Sequence, residues 1–204
     1  MLTLDHLTVT AENLDDGSEY VERCLGARLS PGGQHAIMGT HNRLLGLGPG
    51  LYLEVISVDP EAIDPGRSRW FNLDRCSGPS RLSHWAARCD DLALALSQAP
   101  TGSGAALALE RGDLRWQMAV SDDGRLPWDD LFPALLAWES EAHPSQRLPD
   151  SGIRLSALEL FHPDAQALRR VLEAMIHEPR LSVHEATQPS LRARFDTPAG
   201  DRWL

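Results

Sequence analysis

Apolar and polar residues alternate over residues 2–10. Leu4, His6 and Thr8 share one face of the expected strand, and Leu7 and Val9 share the other. After Asn13 the period changes. Asn13 with Asp15 and Asp16 is a helix start, Tyr20, Val21, Cys24 and Leu25 keep helical spacing, and Gly26 is a helix stop. Short strands are predicted at 34–38 and 41–47, a tight turn at Gly48-Pro49-Gly50, and a strand at 51–57, LYLEVIS, that carries one acid, Glu54. The order β-α-β-β-β then returns. A strand at 82–88 leads to a short helix at 90–98 opened by Asp90 and Asp91. Strands follow at 105–110, from Leu114 (LRWQMAV), and at 132–139 (FPALLAWE), the last readable also as a short helix. A third run begins with a strand at 155–161. Pro163-Asp164 opens a helix whose stripe is Ala167, Leu168, Val171, Leu172 and Met175. Two strands follow at 182–186 and 191–196, with a fourth only if residues 201–204 supply it.

The three runs open alike: LDHLTVTAENL from Leu4, LSHWAARCDDL from Leu82 and LSALELFHPDA from Leu155. The third position is His6, His84 and then Ala157. This reads as one supersecondary unit used three times, with its chemistry kept in two copies. It predicts a first module at 1–60, a linker at 61–81, a second module at 82–140, a linker at 141–154 and a partial third module at 155–204, together one domain.

Two βαβββ units in tandem, with a histidine in the first strand and a glutamate in the fourth, resemble the vicinal oxygen chelate superfamily, and within it the glyoxalase-like domain proteins. LDHLTV, then GGQHAIMGTHNRLLGLG with YLEVISVDP, and later LRWQMA, GRLPW and HPS carry the match. The resemblance implies an α+β fold in which the two modules pair into an open mixed-sheet barrel with a cleft inside, plus a truncated third βαββ unit. It also implies a divalent metal held from the first and fourth strands of each half, by His6, Glu54 and His84. Laying FPALLAW on LYLEVIS without gaps puts Leu135 at the fourth-ligand position. Glu139, four residues on, serves only if the register shifts.

Two imidazoles and a carboxylate suit Fe, Mn, Ni, Co or Zn. Such an ion chelates adjacent oxygens and stabilises an enediolate or oxyanion. The implied function is therefore lyase, isomerase or dioxygenase chemistry on a small oxygen-rich molecule. The alternative is a metal-free protein of the same fold that sequesters a small hydrophobic or aromatic compound. Leu135, and the lack of an obvious catalytic base, favour it.

Each candidate also has a purely structural reading. Glu54 could pair with Arg43 or Arg88. His41 and Asn42 are candidates for substrate contact or for holding a turn. Trp85 and Trp116 are candidates for the pocket wall or for plain core.

Composition narrows the partners. With 204 residues, 42% of them hydrophobic, the chain can bury a core. A formal charge of -10 disfavours nucleic acid and anionic membrane surfaces. Three cysteines without close spacing argue against a disulfide framework. No apolar run approaches the roughly 20 residues of a membrane span, and residues 1–8 do not read as a secretory signal. A cytoplasmic, small-molecule protein is expected, with a homodimer open. There is no CxxC, HExxH or Gly-x-Ser-x-Gly, and neither glycine-rich stretch follows a strand and opens a helix as a phosphate loop does.

Overall fold

The computed structural model describes residues 1–204. The first module is β1 (Thr3–Thr10), α1 (Leu14–Leu25), β2 (Ser30–His35), β3 (Thr40–Gly46) and β4 (Tyr52–Val58). The second is β5 (Arg81–Arg88), α2 (Leu92–Gln98), β6 (Ala105–Arg111), β7 (Leu114–Val120) and β8 (Ala134–Trp138). Their strands form one curled sheet in the order β2-β3-β4-β1-β5-β8-β7-β6. In each half the first and last strands run parallel, and the halves join through antiparallel β1 and β5. No helix is long and apolar enough to cross a membrane.

Local chemistry sets the first turn of the chain. The Asn13 side chain caps α1 by accepting the Asp16 N–H at 2.8 Å, and Gly26, at φ 74°, closes it in a left-handed conformation that glycine adopts without strain. The strands then serve two cores at once. Leu7, Val9, Leu53, Val55, Trp85 and Leu135 face the helices and the third unit. Ile56, Ala86, Trp116, Met118 and Leu136 face the concave side. Burial on both faces explains why these strands alternate weakly.

The third unit is β9 (Arg154–His162), α3 (Ala165–Met175), β10 (Leu181–Glu185), β11 (Ser190–Thr197) and β12 (Gly200–Trp203), in a separate sheet ordered β10-β9-β11-β12. It therefore has a fourth short strand, and it is wound differently. The strand after its helix lies parallel beside β9, whereas β2 and β6 lie at the outer edges of the large sheet. Its apolar stripe packs Leu168, Leu172 and Met175 into the same core as β1 and β4.

The β1–β5 seam contains two bulges. Leu4 pairs with Ala87 and His6 with Ala86, so Asp5 is the extra residue on β1. Thr8 pairs with His84 and Val9 with Leu82, so Ser83 is the extra residue on β5. A bulge residue breaks the alternation of faces. Each of these two turns its side chain onto the histidine that follows it.

Candidate functional site

His6 and Glu54 meet on the concave face. Asp5 Oδ1 lies 2.7 Å from His6 Nδ1, and Asp5 is fully buried. An ionised carboxylate only accepts, so the His6 Nδ1–H donates to it. His6 Nε2 then faces Glu54 Oε2 at 3.6 Å. The Tyr52 ring stacks on the imidazole with centroids 4.7 Å apart. The other Glu54 oxygen accepts from Asn42 Nδ2 at 2.5 Å. Asn42 Oδ1 in turn accepts the Gly33 N–H at 2.9 Å and Arg111 Nη1 at 3.1 Å. Arg111 arrives from the far edge of the sheet, at the end of β6. A Cβ on Gly33 would sit 2.6 Å from Arg111 Cδ, so glycine there is what lets the arginine lie across β2. Around Arg111 stand Asn42 and His35 but no carboxylate at ion-pair distance. Trp70, Phe71, Trp116 and Trp138 wall the site into a cavity of about 30 Å³, room for about one water.

Asp5 collects further donors. His143 Nε2 and Trp138 Nε1 reach its Oδ2 at 3.0 Å, and Arg88 Nη1 at 3.4 Å. Burial alone would raise the Asp5 carboxyl. The hydrogen bonds and charges of His143 and His6 outweigh it and hold the group well below the usual carboxylate range.

His35 shows the opposite effect of burial. Loss of water, then the Arg111 charge, with His6 and His41 adding, lowers its imidazole to about 3. Below about pH 6.5 the unfolded chain binds a proton that folded His35 does not. Stability should therefore fall as pH drops from about 6.5 towards about 3, by up to about 1.4 kcal/mol per unit from this residue. Thermal melts at each pH check this: His35→Gln should flatten that slope, and an unchanged slope would rule the residue out as its source.

His84 stands in a different place. Its Nδ1 bonds Ser83 Oγ at 2.8 Å, as His6 bonds Asp5. Its Nε2 is buried without a hydrogen-bond partner, 3.9 Å from Asp130 Oδ1. It opens on a separate cleft of about 390 Å³. Phe71 lies between the two histidine sites, 5.2 Å from the His84 ring and in the wall of both cavities. Phe71 comes from the first linker, in a 3-10 stretch at Trp70–Arg75 that fills the concave face. Phe71 and Asn72 hold φ of 55° and 54°, a left-handed conformation that asparagine tolerates and that is costly for a side chain like that of Phe71.

The other sequence candidates separate clearly. The ladder pairs Thr8 with Glu54 and Ala86 with Ala134, so Ala134 occupies the place equivalent to Glu54. Leu135, one residue on, points into the opposite core and is 1% exposed. Glu139 is exposed beyond the end of β8, where it accepts from Gln117 Nε2 at 2.7 Å. Of the four expected metal ligands, His6 and Glu54 are brought together and His84 and Glu139 are not. No group of three or more His, Cys, Asp or Glu gathers as a metal-holding set. A divalent ion usually takes three or four protein ligands, so the donors as placed fall short. Asn42 and Trp116 line the cavity. His41 bonds Ser57 Oγ at 2.9 Å on the other side of β3. Trp85 is core, its indole N–H donating to the Leu131 carbonyl at 2.8 Å. The expected arginine partners of Glu54 are engaged elsewhere, Arg43 with Asp15 and Arg88 with Asp5.

A curled eight-stranded sheet built from two βαβββ halves, with a polar site on its concave face, is the vicinal oxygen chelate fold. The chain belongs to the glyoxalase-like domain family, whose match spans residues 4–176. In three dimensions it is similar to a hypothetical protein from Staphylococcus aureus, 14% identical over 93% of this chain and 88% of that one, with a TM-score of 0.66. It is also similar to methylmalonyl-CoA epimerase from Mycobacterium tuberculosis, 18% identical over 68% and 88% of the chains, with a TM-score of 0.43. No curated protein matches it.

Proposed function

We propose that the chain is a glyoxalase-like enzyme that moves a proton on a small, oxygen-rich molecule bearing a carboxylate, at a centre formed by His6, Glu54 and Arg111. The observation that carries this is the Asp5–His6–Glu54 line. Because Asp5 takes the Nδ1 proton, His6 Nε2 and Glu54 Oε2 are two acceptors facing each other at 3.6 Å. Such a pair is satisfied by a proton, a bridging water or a cation between them. A proton there makes the pair an acid and a base held together in a dry site, as proton abstraction next to a carbonyl requires. In this reading Glu54 is the base, held by Asn42, and His6 carries the proton in exchange. Arg111 supplies a guanidinium fork for the substrate carboxylate. A substrate larger than water must part the aromatic wall, and the Trp70–Phe71 strap is the segment suited to move. A panel of small carboxylic acids screened by thermal shift tests the anion site. Wild type should be stabilised by the fitting acid and Arg111→Met should not. Equal stabilisation of both would remove Arg111 from the site.

A divalent metal is the second reading. Its support is that a metal-bound histidine usually gives its other N–H to a carboxylate, as His6 does to Asp5. His6 and Glu54 would be two of its ligands, and its chemistry would be Lewis-acid polarisation of a substrate oxygen. His84 would become the third only once Phe71 leaves. Phe71→Ala should therefore raise divalent-ion affinity at least tenfold by calorimetry, at a cost of about 3 kcal/mol in stability. Unchanged affinity would count against a site that joins the two histidines.

A further inference from the structure

A cleft of about 740 Å³ lies on the far side of Asp5 from the His6–Glu54 cavity. Trp138 separates it from the His6–Glu54 cavity. On its wall stand His143 and Ser145, the HPS of the second linker. Ser145 Oγ is 2.8 Å from His143 Nδ1, and His143 Nε2 is 3.0 Å from Asp5 Oδ2. Asp5 only accepts, so the ring proton is on Nε2. The Ser145 N–H also donates to Nδ1, at 3.2 Å, which marks that nitrogen as the lone pair. The serine hydroxyl thus donates to an imidazole whose other side is anchored by a fully buried carboxylate. This is the order nucleophile, base, orienting acid, with the two ring nitrogens exchanged relative to the usual arrangement. The Gly50 N–H points at the same hydroxyl oxygen from 3.0 Å, turned there by a φ of 72°. It fixes the hydroxyl oxygen and leaves the hydroxyl proton to point at Nδ1. The His143 ring also caps the 3-10 turn Pro144–Gln146. A cap needs only Nδ1. It does not account for the anchored Nε2 or for a hydroxyl that lines an open cleft.

We propose that Ser145, His143 and Asp5 form a second reaction centre that transfers acyl groups from a small ester or thioester to water. Ser145 Oγ bonds to the acyl carbon while its proton passes to His143 Nδ1, and Nε2–H stays on Asp5. The bond from the acyl carbon to the alcohol or thiol then breaks, and the leaving group takes the proton from Nδ1. Water attacks the acyl carbon and gives a proton to Nδ1; the bond from that carbon to Oγ then breaks, Oγ takes the proton from Nδ1, and the carboxylic acid leaves with Ser145 and His143 restored. No redox partner is needed.

The test is labelling of the full chain with a fluorophosphonate serine probe, beside turnover of small p-nitrophenyl esters. The expected result is one adduct, mapped to Ser145 by peptide mass. It should be absent in Ser145→Ala, which loses only a hydroxyl and should keep its circular dichroism. In folded His143→Gln, labelling and turnover should both fall about 100-fold. No adduct, an adduct on another residue, or equal rates in His143→Gln overturns the proposal. The readout is on Ser145 and not on proton exchange at Glu54, so this centre and the one proposed above succeed or fail separately.

Discussion

Asp5→Asn is expected to cost about 3–5 kcal/mol of stability, the largest loss of any single polar substitution in the chain. The carboxylate is fully buried, with His6, His143, Trp138 and Arg88 all directed at it. An amide nitrogen in place of either oxygen confronts at least one N–H with another donor and leaves a buried group unsatisfied. It also withdraws the negative charge that Arg88 and the two imidazoles face. The sign of the pH effect follows from the depressed carboxyl. Its contribution is complete above about pH 3.9, the unfolded value, and is lost progressively as pH falls from there to its much lower folded value. The difference in stability between wild type and Asp5→Asn should therefore stay constant from neutral pH down to about 4 in denaturant titrations. A loss under about 1 kcal/mol would show that the donors have other partners.

Glu54→Gln is expected to leave the fold intact and to lower kcat about 100- to 10,000-fold, the range for losing a general base. Glutamine is the same shape and can keep the Asn42 contact through its carbonyl oxygen. It cannot take a proton. KM should move little, because Arg111 rather than Glu54 is assigned to the substrate carboxylate. A variant with normal kcat and a raised KM would make Glu54 a binding residue only.

What could be read along the chain, and what could not, divides on physical lines. His6 and Glu54 were legible because a histidine at a repeated phase and an acid in an apolar strand both break a local pattern. Asp5 was not, because strict alternation puts it on the face opposite His6, and only the bulge turns it back. Leu135 was misplaced by one residue, and in a strand one residue is the other face. Arg111 carries no local signal. It reaches Asn42 only because the sheet curls until β6 nears β2. The first linker looked like an ordinary Pro- and Gly-rich loop, yet it buries Trp70 and Phe71 and so divides the histidines that the repeat suggested would meet. The third unit shares the strand and helix order of the others. Strand pairing depends on which edge is free, and there β10 takes the place beside β9.

The most direct test of the proposed centre is solvent-deuterium exchange, followed by proton NMR, on those carboxylic acids that stabilise wild-type protein. Deuterium is expected to enter at the carbon next to the carbonyl with wild type, and only at the uncatalysed rate with Glu54→Gln or His6→Asn. An acid that binds through Arg111 and shows no exchange in wild type would contradict it, and would leave the cavity as a place that holds a ligand without transforming it.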